Sequence, residues 1–318
     1  MAAWERLAEK LAAAAGRKHG PTALLVAEAD GPRRSIGVGG LDIDGPYAID
    51  AVSKLFTHAL IFQLIDQRLL RYDDRLLELW PEAGELLPGL EKVTVRQLVN
   101  QTSGLPAPDD DEALARNRKV ALPEMMRVAA TMKRPAGRHA HYSGLNAELL
   151  AQVAAEITAE PFPELLHRGI FVPLGLHHTA PVEPAGQDYA AVMTAEGPVR
   201  GPRYLAGAVA SGGIISTARE QVHFIRAFHE GELFERRHIT DPAFRRIQLA
   251  PLQYGAGMMS MTAARSSSEL PAPEILGHSG STGSFAFYCP SRELFLAGTI
   301  NTVLSPPYPV IYQALDAY

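Results

Sequence analysis

Apolar and polar residues alternate near the N-terminus with the periods of a helix and then of two strands. The first 20 residues place apolar side chains on one helical face, with charged residues between them, which predicts a packing helix. That face consists of Trp4, Leu7, Leu11 and Ala15. Residues 22–29 and 34–41 then alternate like strands around an Asp-Gly-Pro turn, which predicts a hairpin. Helical spacing returns over residues 51–70.

The rest of the chain predicts a helical insert followed by more strands. Residues 73–200 are helix-rich and are interrupted by prolines. Beyond them, short strand-like runs precede a closing helix at 310–318. The runs cover residues 252–261, 274–278, 283–289 and 294–301. Strands at both ends predict an α+β fold in which 1–72 and 201–318 form a sheet domain and 73–200 form an inserted helical subdomain, with the active site in the cleft between them.

Composition narrows the function classes. The chain has 318 residues, is 47% hydrophobic and 20% charged, and carries a net charge of −5, so it has no basic footprint for nucleic acid. Its only cysteine, Cys289, excludes an internal disulfide and fits a reduced cytoplasm. No run approaches the ~20 apolar residues of a membrane span, and the charged first helix is unlike a signal peptide. These features predict a cytoplasmic enzyme without membrane or nucleic-acid partners.

The most informative segment is Ala51-Val52-Ser53-Lys54, at the start of the predicted helix. A serine at position 51 would share a helical face with Lys54 and could lose its proton to that amine. Alanine offers nothing to deprotonate. Ser53 points about 100° away from Lys54 on a helix, so we do not expect it to take over.

Five segments, in order, are similar to motifs of the serine β-lactamase and penicillin-binding-protein superfamily, especially its class C-like (family VIII) esterase and transacylase branch. They lie at residues 48–57, 93–105, 141–144, 212–219 and 277–281. The sequence departs from the family pattern at three places: Ala51 replaces the serine, Gln101 a histidine and Gly144 the asparagine of Tyr-x-Asn. A match to one of these motifs is weak evidence, but five matches in the same order indicate that the chain is related to this superfamily.

The resemblance implies a β-lactamase/transpeptidase-like fold, with an antiparallel sheet flanked by the terminal helices. It also implies roles for individual residues. Ala51 holds the nucleophile position, Lys54 would accept a proton or tune Tyr142, and Tyr142 would act as base and then as acid. The amides of Ala51 and of a residue near Ser281 would form an oxyanion hole.

By the same resemblance, the motif at 277–281 forms the sheet-side wall of the site. His278 and Ser279 would contact a carbonyl or carboxylate of the substrate there, next to Gly280. Gly144 lacks the side-chain amide that binds the acyl-amide in lactamases, which favours ester or acyl-transfer chemistry. No cofactor or metal is expected, because the paired histidines lack zinc-site spacing.

Three explanations for Ala51 stay open. The chain is an engineered serine-to-alanine variant, which we favour because Lys54 and Tyr142 remain; or it is a natural pseudoenzyme that binds a ligand or partner; or Lys54 and Tyr142 act without an acyl intermediate. The predicted partner is a small acyl substrate (an ester, amide or thioester), and the predicted state is a monomer or homodimer. Residues 106–118 are a plausible lid over the cleft.

Overall fold

The structure, a computed structural model, describes residues 2–108, 120–135, 140–183, 187–199, 205–262 and 273–318. The helices are α1 (Ala2–Ala14), α2 (Ser53–Asp66), α3 (Leu76–Leu79), α4 (Ala83–Leu86), α5 (Val95–Val99), α6 (Leu122–Thr131), α7 (Gly144–Thr158), α8 (Phe162–Leu166), α9 (Ala218–Glu230) and α10 (Tyr308–Ala317). The strands are β1 (Thr22–Glu28), β2 (Arg33–Val38), β3 (Tyr47–Ala48), β4 (Ala180–Pro181), β5 (Val192–Thr194), β6 (Gly197–Val199), β7 (Ile214–Ser216), β8 (Arg245–Arg246), β9 (Gln253–Gly255), β10 (Met258–Thr262), β11 (Glu274–Ser279), β12 (Ser284–Cys289) and β13 (Leu294–Thr299).

A large antiparallel sheet joins the two ends of the chain. Its strand order is β2-β1-β13-β12-β11-β10-β9-β8. The N-terminal hairpin therefore pairs with the last strand, with Leu25 opposite Ala297. The predicted α+β fold with an antiparallel sheet is confirmed. The division into a sheet domain and an inserted subdomain stays a prediction.

Helices cover both faces of this sheet, because its central strands are apolar on both sides. In β1, Leu24 and Val26 pack in one cluster with α1 and α10, whereas Leu25 packs in the other cluster with α2 and α9. Alternate residues of a strand point to opposite faces. The continuous apolar run of β1 is thus the pattern of a strand buried between two helical layers.

Helix α2 lies at the centre of the helical layer that it forms with α9. Eleven of its fourteen side chains are buried, so its lack of a polar face follows from its position in the core. The Phe56 ring stacks on Phe224 of α9, with 3.6 Å between the centroids and 8° between the planes. This contact fixes the first turn of α2, which carries Lys54.

The structure divides one predicted strand and adds short ones. Residues 252–261 are two strands, β9 and β10, because Ala256 and Gly257 adopt left-handed backbone angles (φ 49° and 72°) and turn the chain. A small sheet, ordered β3-β7-β4, was not predicted, since strands of two or three residues carry little periodicity. None of the helices in the described ranges is long and apolar enough to cross a membrane.

Replacing Phe56 with alanine tests how much α2 depends on the stack. We expect Phe56→Ala to lower the free energy of unfolding by about 3–5 kcal/mol, because it removes buried surface and leaves a cavity. Leu69→Ala is the control, since Leu69 is 52% exposed, and it should cost less than about 0.5 kcal/mol. Urea denaturation measures both, and equal effects would contradict the prediction.

Candidate active site

The start of α2 lies at the bottom of a cleft of about 760 Å³. Residues 50–52 form a short 3-10 turn that leads into the helix, and the preceding Ile49 amide donates to the Ile214 carbonyl (3.0 Å). Ala51 and Lys54 both line the cleft. The small sheet therefore holds the nucleophile position at the cleft surface.

Lys54 is buried and directed at defined partners. Only 2% of the residue is exposed. Its Nζ donates to the Ser211 carbonyl (2.6 Å) and lies 5.0 Å from the centroid of the Tyr142 ring. The structure thus brings together Ala51, Lys54 and Tyr142, the three residues that the sequence places at the chemical centre.

Hydrogen bonds on both sides hold Tyr142 in place. The Gln101 carbonyl accepts from the His141 amide (2.7 Å), and the Gln101 Oε1 accepts from the Ser143 amide (2.9 Å). Gln248 binds the Tyr142 backbone itself: its Oε1 accepts from the amide (2.8 Å) and its Nε2 donates to the carbonyl (2.7 Å). Gln101 thus positions Tyr142 through its two neighbours.

Ser53 and Gly144 lie outside the cleft lining. The Ser53 Oγ is buried and has no hydrogen-bond partner in the described part of the chain. Gly144 is the buried first residue of α7. Ser53 therefore does not present its hydroxyl where a serine at position 51 would.

Ser279, Gly280 and Ser281 form the sheet-side wall. The Ser279 Oγ shares a hydrogen bond with the hydroxyl of Tyr308 (2.7 Å), which also lines the cleft. His278 is fully buried and lies behind the wall, with its ring centroid 5.8 Å from that of Tyr142. In this structure, then, Ser279 and Gly280 form the surface at which the sequence analysis expects His278 to meet a substrate.

Two buried histidines stay neutral beneath the site. Burial, with a smaller contribution from the nearby charge of Lys54, lowers the pKa of His58 to about 3. Burial and then Lys54 also hold the pKa of His278 well below its usual value of 6.5. The His278 Nδ1 lies 2.8 Å from the Ser279 carbonyl, which places the proton of a neutral ring on Nδ1. Neither ring therefore carries a positive charge beside Lys54.

Two backbone amides point to oxyanion-hole chemistry. Across the described residues, the amides of Ala51 and Ser281 donate no hydrogen bond, and both residues line the cleft. Amides of this kind stabilise the negative oxygen that develops in acyl transfer. Alanine at position 51 leaves its amide in place.

Asp50 matches no motif in the sequence, and its carboxylate lies beside these amides. Its carboxylate Oδ2 accepts from the Ser281 Oγ (2.7 Å) and the Thr282 amide (3.2 Å). The backbone is left-handed at Asp50 (φ 46°). The partners lie more than 230 residues away in sequence, so no local pattern could have revealed the contact.

The predicted lid is described only at its beginning. Ala107 and Pro108 line the cleft, and residues 109–118 of the lid prediction lie outside the described residues. The lid stays a prediction.

The family model described as Beta-lactamase matches residues 8–316. This chain belongs to the beta-lactamase family. The curated D-alanyl-D-alanine-carboxypeptidase/endopeptidase AmpH of Escherichia coli (strain K12) is 26% identical over 205 residues, which are 63% of this chain and 53% of that protein. The chain thus spans about half the length of this relative.

Solved structures share the whole beta-lactamase fold. A D-stereospecific amidohydrolase from Streptomyces sp. superimposes with a TM-score of 0.82 at 22% identity, covering 98% of this chain and 97% of the other. D-amino acid amidase from Ochrobactrum anthropi SV3 gives 0.84 at 18% identity, with 98% and 100% covered. At these identities, the likeness concerns the fold.

Because buried histidines stay neutral in this member of the beta-lactamase family, we expect its free energy of unfolding to depend on pH. In the unfolded chain His58 takes up a proton near pH 6.5, whereas the folded protein resists protonation to about pH 3. Above pH 6.5 His58 is neutral in both states, and its full contribution to the free energy of unfolding is present. As pH falls below 6.5 the unfolded chain takes up the proton and the free energy of unfolding decreases, by about 1.4 kcal/mol per pH unit.

We expect His58→Gln to reduce by that amount the slope of unfolding free energy against pH between 6.5 and 5. Urea denaturation at several pH values measures the slope. The exposed His223 offers a matched control, and His223→Gln should keep the parent slope. An unchanged slope in His58→Gln would mean that His58 takes up its proton in the folded state.

Proposed function

We propose that the cleft is the acyl-transfer site of a serine hydrolase or acyltransferase for small esters, amides or thioesters, in which Ala51 replaces the nucleophile. An engineered serine-to-alanine substitution is the simplest origin. Such a chain binds its acyl ligand without forming an acyl-enzyme. A cytoplasmic location and a monomeric or homodimeric state belong to the same proposal.

One observation carries the proposal: the buried Lys54 ammonium lies 5.0 Å from the Tyr142 ring, one helical turn from Ala51. A hydroxyl at position 51 would project on the same face as Lys54. The proton of that hydroxyl would pass to Tyr142 as a phenolate beside the Lys54 ammonium, or to Lys54 after the amine has lost its own proton, while the serine oxygen bonds to the acyl carbon. The bond from that carbon to the leaving group then breaks, and the same base returns the proton to the leaving group. Membership of the beta-lactamase family supports the hydrolase class, and the amidase and carboxypeptidase relatives support amide or ester substrates.

A natural pseudoenzyme is the second candidate, and Gln101 favours it. Gln101 is fully buried with a left-handed backbone (φ 57°), and its Oε1 accepts from the Asn146 Nδ2 (2.5 Å) as well as from the Ser143 amide. An engineered replacement of the serine alone would not explain why Gln101 stands where the family pattern has histidine. The neighbouring residues Ser143 and Asn146 bind this glutamine. In this reading the cleft only binds.

Restoring the hydroxyl tests the acyl-transfer site. We expect Ala51→Ser to gain one fluorophosphonate adduct by intact-mass analysis and to turn over p-nitrophenyl esters, whereas the parent chain does neither. The reason is that removing a serine nucleophile costs about 10⁶ in kcat while binding survives. Adding Lys54→Met to Ala51→Ser should abolish the labelling.

Ala208→Ser is the matched control, since Ala208 also lines the cleft but lies on a different segment from Lys54. It should stay unlabelled. Absence of labelling in Ala51→Ser, with intact folding, would contradict the acyl-transfer proposal and favour the pseudoenzyme. Ester turnover by the parent chain would instead indicate that Lys54 and Tyr142 act without a serine.

Asp50 should limit the rate of the restored enzyme. The Asp50 Oδ2 accepts from the Ser281 hydroxyl, next to one of the two amides. For any carboxylate roughly 5 Å from a developing oxyanion, the repulsion is about 3 kcal/mol at an effective dielectric constant of about 20, which is roughly 100-fold in rate. We therefore expect Asp50→Asn combined with Ala51→Ser to raise the acylation rate constant about 100-fold over Ala51→Ser alone. Stopped-flow bursts with p-nitrophenyl acetate measure it, and equal rate constants would contradict the effect.

A further inference from the structure

We propose that the Asp50 carboxylate is a ligand-recognition group, and that the cleft takes compounds with an apolar body and a protonated primary amine. The inference names the ligand class of the same cleft. This inference rests on the proposed function in one respect, namely that a small ligand enters the cleft.

The backbone gives the first argument. Asp50 adopts φ 46°, a region that glycine reaches without a steric penalty and that other residues enter at a cost. Aspartate is among the residues that tolerate it. A strained position at a cleft surface is a reason to look for a use of its side chain.

The space around the carboxylate gives the second argument. Two glycines of the cleft wall flank Asp50. A methyl group in place of the Gly212 hydrogen would lie 3.0 Å from the Asp50 Oδ1, and one at Gly280 would lie 2.8 Å from the Asp50 Cβ. Both contacts are tighter than side chains normally make, so the absence of side chains at 212 and 280 leaves room for this carboxylate.

The hydrogen bonds give the third argument, because they use only part of the acceptor capacity. Oδ2 accepts from Ser281 and Thr282, which fixes the orientation of the group. Within the described ranges, no hydrogen bond reaches Oδ1, which lies beside Gly212 on the cleft wall. A carboxylate oxygen accepts two hydrogen bonds. Oδ1 is thus a preoriented acceptor.

The surroundings decide what kind of donor fits. The other charged residue in the described lining of the cleft is Lys54, whose Nζ donates to the Ser211 carbonyl. Much of the remaining wall is apolar and includes Met125, Leu205, Leu249, Leu252 and Leu304. The described residues contain no cluster of three or more histidine, cysteine or acidic side chains that could hold a metal ion. An organic ammonium with an apolar body satisfies both the carboxylate and the wall. A carboxylate or phosphate at the same place would be repelled.

Three ligands separate this proposal from the proposed function. Phenylalanine amide at pH 6.5 carries both an ammonium and an amide, 3-phenylpropanamide carries only the amide, and 3-phenylpropylamine carries only the ammonium. Isothermal titration calorimetry with the full chain measures each dissociation constant. We expect phenylalanine amide to bind roughly 10- to 100-fold more tightly than 3-phenylpropanamide, as a charge-assisted hydrogen bond allows.

Asp50→Asn should remove this preference and leave 3-phenylpropanamide binding unchanged, since asparagine keeps the shape and tolerates the same backbone region. Asp241→Asn is the matched control. Asp241 is an exposed aspartate that also has a left-handed backbone (φ 55°) and does not line the cleft. It should keep the parent preference.

Each outcome decides the role of Asp50. Equal binding of phenylalanine amide and 3-phenylpropanamide by the parent chain, or a preference that survives in Asp50→Asn, overturns the role of Asp50 while the acyl site stands. Binding of 3-phenylpropylamine that is lost in Asp50→Asn supports the role of Asp50 even without binding of 3-phenylpropanamide, and labelling of Ala51→Ser decides the acyl site separately. Binding of none of the three ligands overturns the role of Asp50, while labelling of Ala51→Ser still decides the acyl site.

Discussion

The junction between residues 48–50 and the turn from β11 to β12 holds the site together. The Ser284 Oγ donates to the Ile49 carbonyl (2.6 Å), and Asp50 accepts from Ser281 and Thr282. These bonds join the entry of α2 to the sheet edge, so the first turn of the helix and the sheet-side wall face each other at a fixed separation. The acyl-transfer role requires that separation, because the two amides must reach one ligand atom.

Near this junction Lys54 is charged, whereas the neighbouring histidines His58 and His278 are neutral. Lys54 is buried against the Ser211 carbonyl, and its charge helps to keep His58 and His278 neutral. A low-dielectric interior makes each remaining charge effective over several ångströms. Ser211 in turn donates its amide to the buried Glu148 Oε1 (2.7 Å). The lysine is therefore held by a loop that α7 orders, rather than by solvent.

Local periodicity and motif order were enough to predict α2, the long strands and the grouping of Ala51, Lys54 and Tyr142. They could not predict Asp50 or Gln248, because the partners of both residues come from distant segments of the chain. The β9–β10 turn was missed for another reason: its signal is Gly255 and Gly257 around Ala256, and the apolar run on either side of it was interpreted as one continuous strand. What sequence reasoning lacked was contact between remote segments, which only the fold supplies.

Asp50 and the amide of Ala51 favour ligand groups of opposite charge. Loss of a serine alone leaves an oxyanion hole suited to a negative oxygen. The neighbouring carboxylate, however, faces the same space, and acyl transfer and carboxylate-based recognition make opposite demands on it. The proposed recognition of an ammonium by Asp50 gives this carboxylate a use that acyl transfer alone does not. An ammonium paired with Asp50 before the oxyanion forms would remove this opposition, so acyl chemistry at position 51 would run faster with a charged ligand than with an uncharged ester.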